Sequence, residues 1–273
     1  MRTFLIRCIA LSALVIFCTT CGFLSGPSAD GGKRSVSLAG STSIMPFSEK
    51  LAERFMLDHP EIGVDVQGGG SSAGIQACLN KTVDIGMSSR ELKGDEKVLT
   101  ETTICYDGIS IVVSPKNPIR NITAEQIRGI YSGRIRNWKE LGWIDREIDA
   151  VTREEGSGTR AAFEELLMKT ENISDRIMVQ DSNGSVKEIV ATDPYGIGYI
   201  SLGMVDQRVK ALSVNGTVPL VENIKKRTYH VVRPFLYLTL GEPSRPARMF
   251  IEFILSRDGQ AILRKEGLVP IHG

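Results

Sequence analysis

From residue 36 onward the chain alternates short apolar runs with segments of helical period, and this alternation restricts the fold more than any other feature of the sequence. A strand followed by a helix must return by a crossover, which points to α/β architecture with largely parallel sheets. Val36–Ala39, Val64–Gln67, Val83–Met87, Ile104–Ser114, Ile148–Val151, Ile197–Ile200 and Phe235–Leu240 read as strands. Phe47, Leu51, Ala52, Phe55 and Met56 mark one face of a helix that Pro46 can open, because the first turn does not need its N–H. Helices are also expected over Ser72–Asn80, Gly158–Lys169 and Met249–Ile262. Thr123 with Gln126, and Ser185 with Glu188, have the spacing of capping boxes. In sheets of this kind ligands sit beyond the carboxyl ends of strands, where loops lead into helices.

Three such junctions share one composition: Gly40-Ser41-Thr42-Ser43, Gly68 through Gly74, and Gly156-Ser157-Gly158-Thr159. Glycine lets backbone N–H groups approach a ligand, hydroxyls add donors, and a helix N-terminus carries positive partial charge. One Gly/Ser turn only turns the chain; three at strand-to-helix junctions suit a desolvated oxyanion. Arg153 stands three residues before Gly156 and could grip a tetrahedral oxyanion with two N–H groups, in preference to a surface pairing with Glu154 or Glu155.

Charge adds no second theme. Lys and Arg number 33 against 32 Asp and Glu, so nothing points to nucleic acid. Arg2 and Arg7 precede an uncharged, mostly apolar run over Cys8–Cys18, too short for the roughly 20 residues of a membrane span but suited to a signal peptide. Residues 1–20 are expected to be a cleaved signal, of lipoprotein type with Cys21 as the lipidated residue. Cys18-Thr19-Thr20-Cys21 lacks the leucine usual three residues before such a cysteine. Residues 21–34 read as a Gly/Ser/Pro tether. Cys78 and Cys105 are the cysteines left for the folded part, as a disulfide or as two buried thiols. His59, His230 and His272 are scattered, and no metal or cofactor site is expected.

Gly-Ser-Thr-Ser-Ile-Met-Pro-Phe (40–47), Gly-Gly-Gly-Ser-Ser-Ala-Gly-Ile (68–75), Asp-Ile-Gly-Met-Ser-Ser-Arg (84–90), Arg-Glu-Glu-Gly-Ser-Gly-Thr-Arg (153–160) and Gly-Ile-Gly-Tyr-Ile-Ser-Leu-Gly (196–203) resemble the phosphate-binding subunits of bacterial phosphate ABC importers. Arg-Pro-Phe-Leu-Tyr-Leu (233–238), Gly-Gln-Ala-Ile (259–262) and Gly-Leu-Val-Pro-Ile (267–271) extend the resemblance in order to the end of the chain. It implies a type II periplasmic-binding-protein fold, two α/β domains joined by two crossing strands with the ligand in the cleft between them. Domain 1 is then 35–113 with 233–273, and domain 2 is 114–232, with crossings near 112–118 and 231–238. It further implies phosphate contacts from Thr42, Ser43, Ser71, Arg153, Ser157, Gly158 and Thr159, with Glu155 orienting the arginine. Ser89 is the departure, since many relatives carry there an aspartate that accepts the proton of hydrogen phosphate and repels sulfate. A serine can accept or donate, so phosphate binding survives and discrimination against sulfate weakens, unless Glu154 or Glu155 takes the proton. Arg90 either adds charge to the cleft or pairs with Glu91.

The implied protein is an exported, lipid-anchored, monomeric phosphate binder that delivers to the permease subunits of an ABC importer. Other classes fit less well. Ser157 lies in Gly-Ser-Gly rather than a nucleophile elbow, and no P-loop is present, which disfavours a phosphatase or nucleotidase. A binder of sulfate or molybdate, or a phosphate-sensing surface protein, remains the alternative. If Cys21 is the anchor, a metabolically incorporated palmitate analogue labels the wild type and not Cys21→Ser; equal labelling of both, or of neither, rules the anchor out.

Overall fold

The computed structural model describes residues 34–271. The expected signal peptide, Cys21, the tether up to residue 33 and His272 lie outside the described residues. Arg34, expected to end the tether, already pairs with Ile62 in the first strand.

The chain begins β1 (Arg34–Gly40), α1 (Met45–Asp58), β2 (Ile62–Gln67), α2 (Ser71–Leu79), β3 (Ile85–Ser88) and the long β4 (Thr100–Val113). Then come β5 (Asn121–Ile122), α3 (Ala124–Tyr131), β6 (Asp149–Arg153), α4 (Gly158–Phe163), β7 (Met178–Gln180), α5 (Asn183–Thr192) and β8 (Gly196–Ser201). The rest is β9 (Lys210–Ala211), β10 (Ser213–Val214), α6 (Val221–Lys225), β11 (Val232–Thr239), α7 (Arg245–Leu255), α8 (Arg257–Lys265) and β12 (Val269–Pro270). Ten strands join in the order β2-β1-β3-β11-β4-β8-β6-β7, with β9 and β12 also paired to β4.

The sheet is mixed rather than largely parallel. β1 pairs in parallel with β2 and β3, and β6 with β7 and β8. At the centre β11 runs antiparallel to β3 and β4, and β4 antiparallel to β8. The apolar runs alone could not reveal this, since a strand buried on both faces has the same composition in either direction.

Two large apolar cores and two smaller clusters pack against this sheet. Phe47, Leu51 and Phe55 of α1 pack with Val36, Phe235 and Phe250 in one large core. Ile109, Ile111, Tyr131, Trp138, Phe163 and Tyr199 belong to the other. β4 serves both: Thr100–Gly108 lie against β11, and Ile109–Val113 against β8. Its change of partner therefore comes between Gly108 and Ile109, ahead of the expected 112–118, because Ile109, Ile111 and Val113 are buried in the second core. The return passage lies at Val231–Val232, where Ile109 N–H donates to Val231 O at 2.8 Å.

The Thr123–Gln126 capping box forms as expected, with both reciprocal hydrogen bonds. The Ser185–Glu188 box does not. Ser182 is the extended residue that caps α5, accepting from Ser185 N–H at 3.0 Å, so Ser185 lies inside the helix. The terminal helix is two: Ser256 is extended and caps α8 by accepting from Gly259 N–H at 3.3 Å. The helix starting at Gly158 widens into a π turn over Glu164–Met168. Cys78 and Cys105 are free, buried thiols in different clusters, so the disulfide alternative falls away. No helix among the described residues is long and apolar enough to cross a membrane.

α2 lies so close to β1 that a Cβ on Gly74 would come 2.5 Å from Ala39 O and 2.6 Å from Gly40 Cα. Both atoms are backbone and cannot step aside. Gly74→Ala is therefore expected to lower stability by about 1–3 kcal/mol, read as a lower urea midpoint at unchanged slope; an unshifted midpoint contradicts this packing.

Candidate functional site

Four chain segments meet at the carboxyl ends of strands. The β1–α1 loop brings Ser41, Thr42 and Ser43; the start of α2 brings Ser71; the residue after β3 is Ser89; and β6 with α4 brings Arg153 through Thr159. Backbone bonds hold the loops in place. Gly70 N–H donates to Gly40 O at 2.9 Å, and Ser72 N–H donates to Gly156 O at 3.1 Å. A Cβ on Gly158 would sit 2.2 Å from Ser71 Oγ and 2.6 Å from Ser89 Oγ, so only glycine permits this approach.

The hydroxyls form a connected cluster. Ser41 Oγ donates to Ser89 Oγ at 2.9 Å and lies 2.9 Å from Ser43 Oγ. Ser43 Oγ meets Thr159 Oγ1 at 3.4 Å, joining loops that belong to the two cores. Ser71 Oγ lies 3.4 Å from Ser89 Oγ and accepts Ser89 N–H at 3.0 Å. Ser157 adjoins the cluster through Gly158, but its own hydroxyl caps α4 by accepting from Arg160 N–H at 3.2 Å.

Arg153 ends β6 at 1% exposure. Its backbone N–H donates to Tyr199 Oη at 3.3 Å, and Tyr199 stacks on Phe163 with ring centroids 4.0 Å apart. Burial pushes the Tyr199 phenol up to about 12, so it stays neutral beside the arginine. Glu154 orients the guanidinium, accepting Nε at 3.0 Å and Nη2 at 2.9 Å. Glu155, expected in that role, is exposed instead. The carbonyls of Gln180 and Asp181 accept further bonds, and Nη2 also reaches Thr42 Oγ1 at 3.2 Å. Arg153 Nη1 is buried and has no partner among the described residues.

A second guanidinium stands on the other side. Arg233 of β11 lies directly opposite Asp107 of β4 in register. Asp107 Oδ2 accepts Arg233 Nε at 3.1 Å and Nη2 at 2.9 Å, while Oδ1 accepts Ser201 Oγ at 2.8 Å and Leu202 N–H at 3.1 Å. Burial pushes the Asp107 carboxyl up, against the pull of Arg233 and of these donors. Every contact of its oxygens is with a donor, which is what an ionised carboxylate accepts. The remaining Arg233 nitrogen, Nη1, donates to Ser89 Oγ at 3.2 Å.

Asn183 completes the cluster. Its Nδ2 donates to Thr159 Oγ1 at 3.3 Å and to Thr42 Oγ1 at 3.4 Å, and its Oδ1 accepts Ser201 N–H at 3.2 Å. Arg90 pairs with Glu96 through two bonds of 2.7 and 2.8 Å, not with the Glu91 carboxylate. That pairing holds Glu96 below the usual carboxylate range. No group of His, Cys, Asp and Glu among the described residues could hold a metal ion.

The residues singled out from sequence (Thr42, Ser43, Ser71, Ser89, Arg153, Ser157, Gly158 and Thr159) thus lie in one place. Ser41, from the first of the glycine- and serine-rich junctions, joins them, as do Asn183, Arg233 and Asp107, which the sequence had not singled out. Asn183 had a readable signal, since Asp-Ser-Asn-Gly also sits between a strand and a helix. Arg233 and Asp107 had none, because their meeting depends on strand register.

The model of the PBP superfamily domain matches residues 26–258. The phosphate-binding protein PstS of Bacillus subtilis is 30% identical over 98% of this chain and 94% of its own. A substrate-binding protein from Clostridium perfringens, solved with bound phosphate, superposes with a TM-score of 0.85 at 42% identity, over 87% of this chain and 100% of that one. An ABC-type phosphate transport receptor from Vibrio cholerae gives a TM-score of 0.71 at 38% identity, over 86% and 99%. The chain therefore belongs to the PBP superfamily and, within it, to the family of PstS phosphate-binding proteins.

Proposed function

We propose that this protein captures inorganic phosphate outside the cytoplasm and hands it to the permease subunits of an ABC importer. The observation that carries the reading is the buried Nη1 of Arg153, without a partner among the described residues, on a guanidinium whose Nη2 reaches the Thr42 hydroxyl of the cluster. A buried guanidinium N–H without a partner is costly, and an oxyanion oxygen satisfies it with a charge-assisted bond. Thr42, Ser71, Ser89 and Thr159 each accept from a nitrogen donor, so each has its own proton to offer. Such a set of donors suits phosphate.

In this reading the two cores are two lobes that close on the ligand, bending where β4 changes partner at Gly108–Ile109 and where the chain returns at Val231–Val232. Thr42, Ser43, Ser71 and Ser89 contact phosphate from one lobe, and Arg153, Ser157, Gly158 and Thr159 from the other. Binding proceeds without turnover: among the described residues, the hydroxyls of Ser41, Thr42, Ser43, Ser71, Ser89 and Thr159 hydrogen-bond no histidine or carboxylate that could act as a base. The lipid on Cys21 holds the monomer at the membrane beside its permease.

Calorimetry with the soluble part is expected to give one phosphate per chain. Arg153→Ala should weaken it more than any other single substitution in the cluster, by about 2–5 kcal/mol. Undiminished affinity in that variant removes Arg153 from the site, and no phosphate heat in the wild type removes the reading.

A further inference from the structure

Proton counting along the hydroxyl cluster leads to a residue that sets ligand choice. A serine hydroxyl has one proton and two lone pairs. Arg233 Nη1 can only donate, and it donates to Ser89 Oγ at 3.2 Å. Ser41 Oγ donates to the same oxygen at 2.9 Å. Both lone pairs of Ser89 are then occupied, and its proton points onward, away from Ser41. Ser41 has committed its single proton to Ser89, so the 2.9 Å contact between Ser41 and Ser43 must be a donation by Ser43. The chain runs one way: Ser43 to Ser41 to Ser89.

Ser43 ends that chain with its proton committed inward. It is fully buried, and among the described residues no N–H group donates to its Oγ. Its remaining neighbour is Thr159 Oγ1 at 3.4 Å, a long contact from the facing loop. The other hydroxyls are in the opposite condition. Thr159 and Thr42 accept from Asn183 Nδ2, whose orientation is fixed because Asn183 Oδ1 accepts Ser201 N–H. Thr42 also accepts from Arg153, Ser71 from Ser89 N–H, and Ser157 from Arg160 N–H. Nor does a carboxylate offer a lone pair more readily. Glu154 turns both oxygens to Arg153, and Asp107 is enclosed by Arg233, Ser201 and Leu202.

We propose that Ser43 Oγ is the acceptor that reads the ligand's proton, and that Arg233 positions it for this role by fixing the direction of the hydroxyl chain. The ligand class is a tetrahedral oxyanion that keeps one proton, hydrogen phosphate rather than sulfate. Hydrogen phosphate donates its P–OH to Ser43 and accepts from the surrounding hydroxyls and Arg153. Sulfate brings no proton, and its oxygen meets the Ser43 lone pair. Selectivity then arises as a difference between a made bond and a repulsion, using a neutral acceptor.

The inference rests on the phosphate reading above, and competition calorimetry with phosphate and sulfate separates the two. Failure of the wild type to bind phosphate overturns that earlier reading. Given wild-type binding, Ser43→Ala is expected to weaken phosphate about tenfold while sulfate affinity holds or rises, so that the phosphate-to-sulfate ratio falls at least about tenfold. Arg233→Lys keeps a charge opposite Asp107 but has one nitrogen, which cannot serve Asp107 and Ser89 in the same geometry. It should lower the same ratio with Ser43 intact, whereas a merely structural loss weakens both anions in parallel. A parallel loss in Ser43→Ala, or an unchanged ratio in Arg233→Lys, overturns the assignment.

Discussion

Arg233 and Asp107 face each other across β11 and β4, the two strands that pass between the cores, and the rest of the site is arranged around that pair. Burying two ions is costly, and leaving one without the other costs about 3–5 kcal/mol. The pair therefore fixes the register of β4 against β11 as well as satisfying itself. Asp107 extends the constraint to β8 by accepting Ser201 Oγ and Leu202 N–H. Arg233 extends it to Ser89 at the end of β3. Three strands and one binding loop are thereby located relative to one another by two side chains. Ile109, two residues after Asp107, is where β4 takes up its pairing with β8.

Charge near the cluster is balanced locally. Arg153 is matched by Glu154 and Arg233 by Asp107, so these four groups sum to zero, and under the proposed function an anion would be drawn by oriented protons. Neutral donors lose less on desolvation than free charges do, which is why a buried oxyanion site can be lined with serine and threonine. The chain as a whole is as nearly neutral as its site, at +1. Long-range attraction thus contributes little to capture, and recognition depends on contact geometry.

That geometry is built from stiff supports. Tyr199, stacked on Phe163 and bonded to Thr152 at 2.7 Å, braces the end of β6 from which Arg153 projects. The approach of α2 to β1 at Gly74 places Ser71, one turn earlier, against the loop after β3. Gly158 lets the facing loop come close enough for Thr159 to meet Ser43. Small residues at these points set the hydrogen-bond lengths in the cluster, because each decides how near two backbones may come.

By itself the sequence determined the succession of strands and helices, the glycine- and hydroxyl-rich junctions, and that Arg153 stands at one of them. Those are local properties: periodicity, capping residues and loop composition act over a few neighbouring positions. Even locally, competing caps were ambiguous, and Ser182 prevailed over Ser185 because it holds the extended backbone. Only the tertiary structure decided that the central strands run antiparallel, that Glu154 rather than Glu155 holds Arg153, and that Arg90 is taken by Glu96. It alone brought Asp107 to Arg233 across 126 residues and Asn183 to Thr42 across 141. Such contacts follow from strand register and sheet order, which a one-residue shift would undo and which no local pattern encodes.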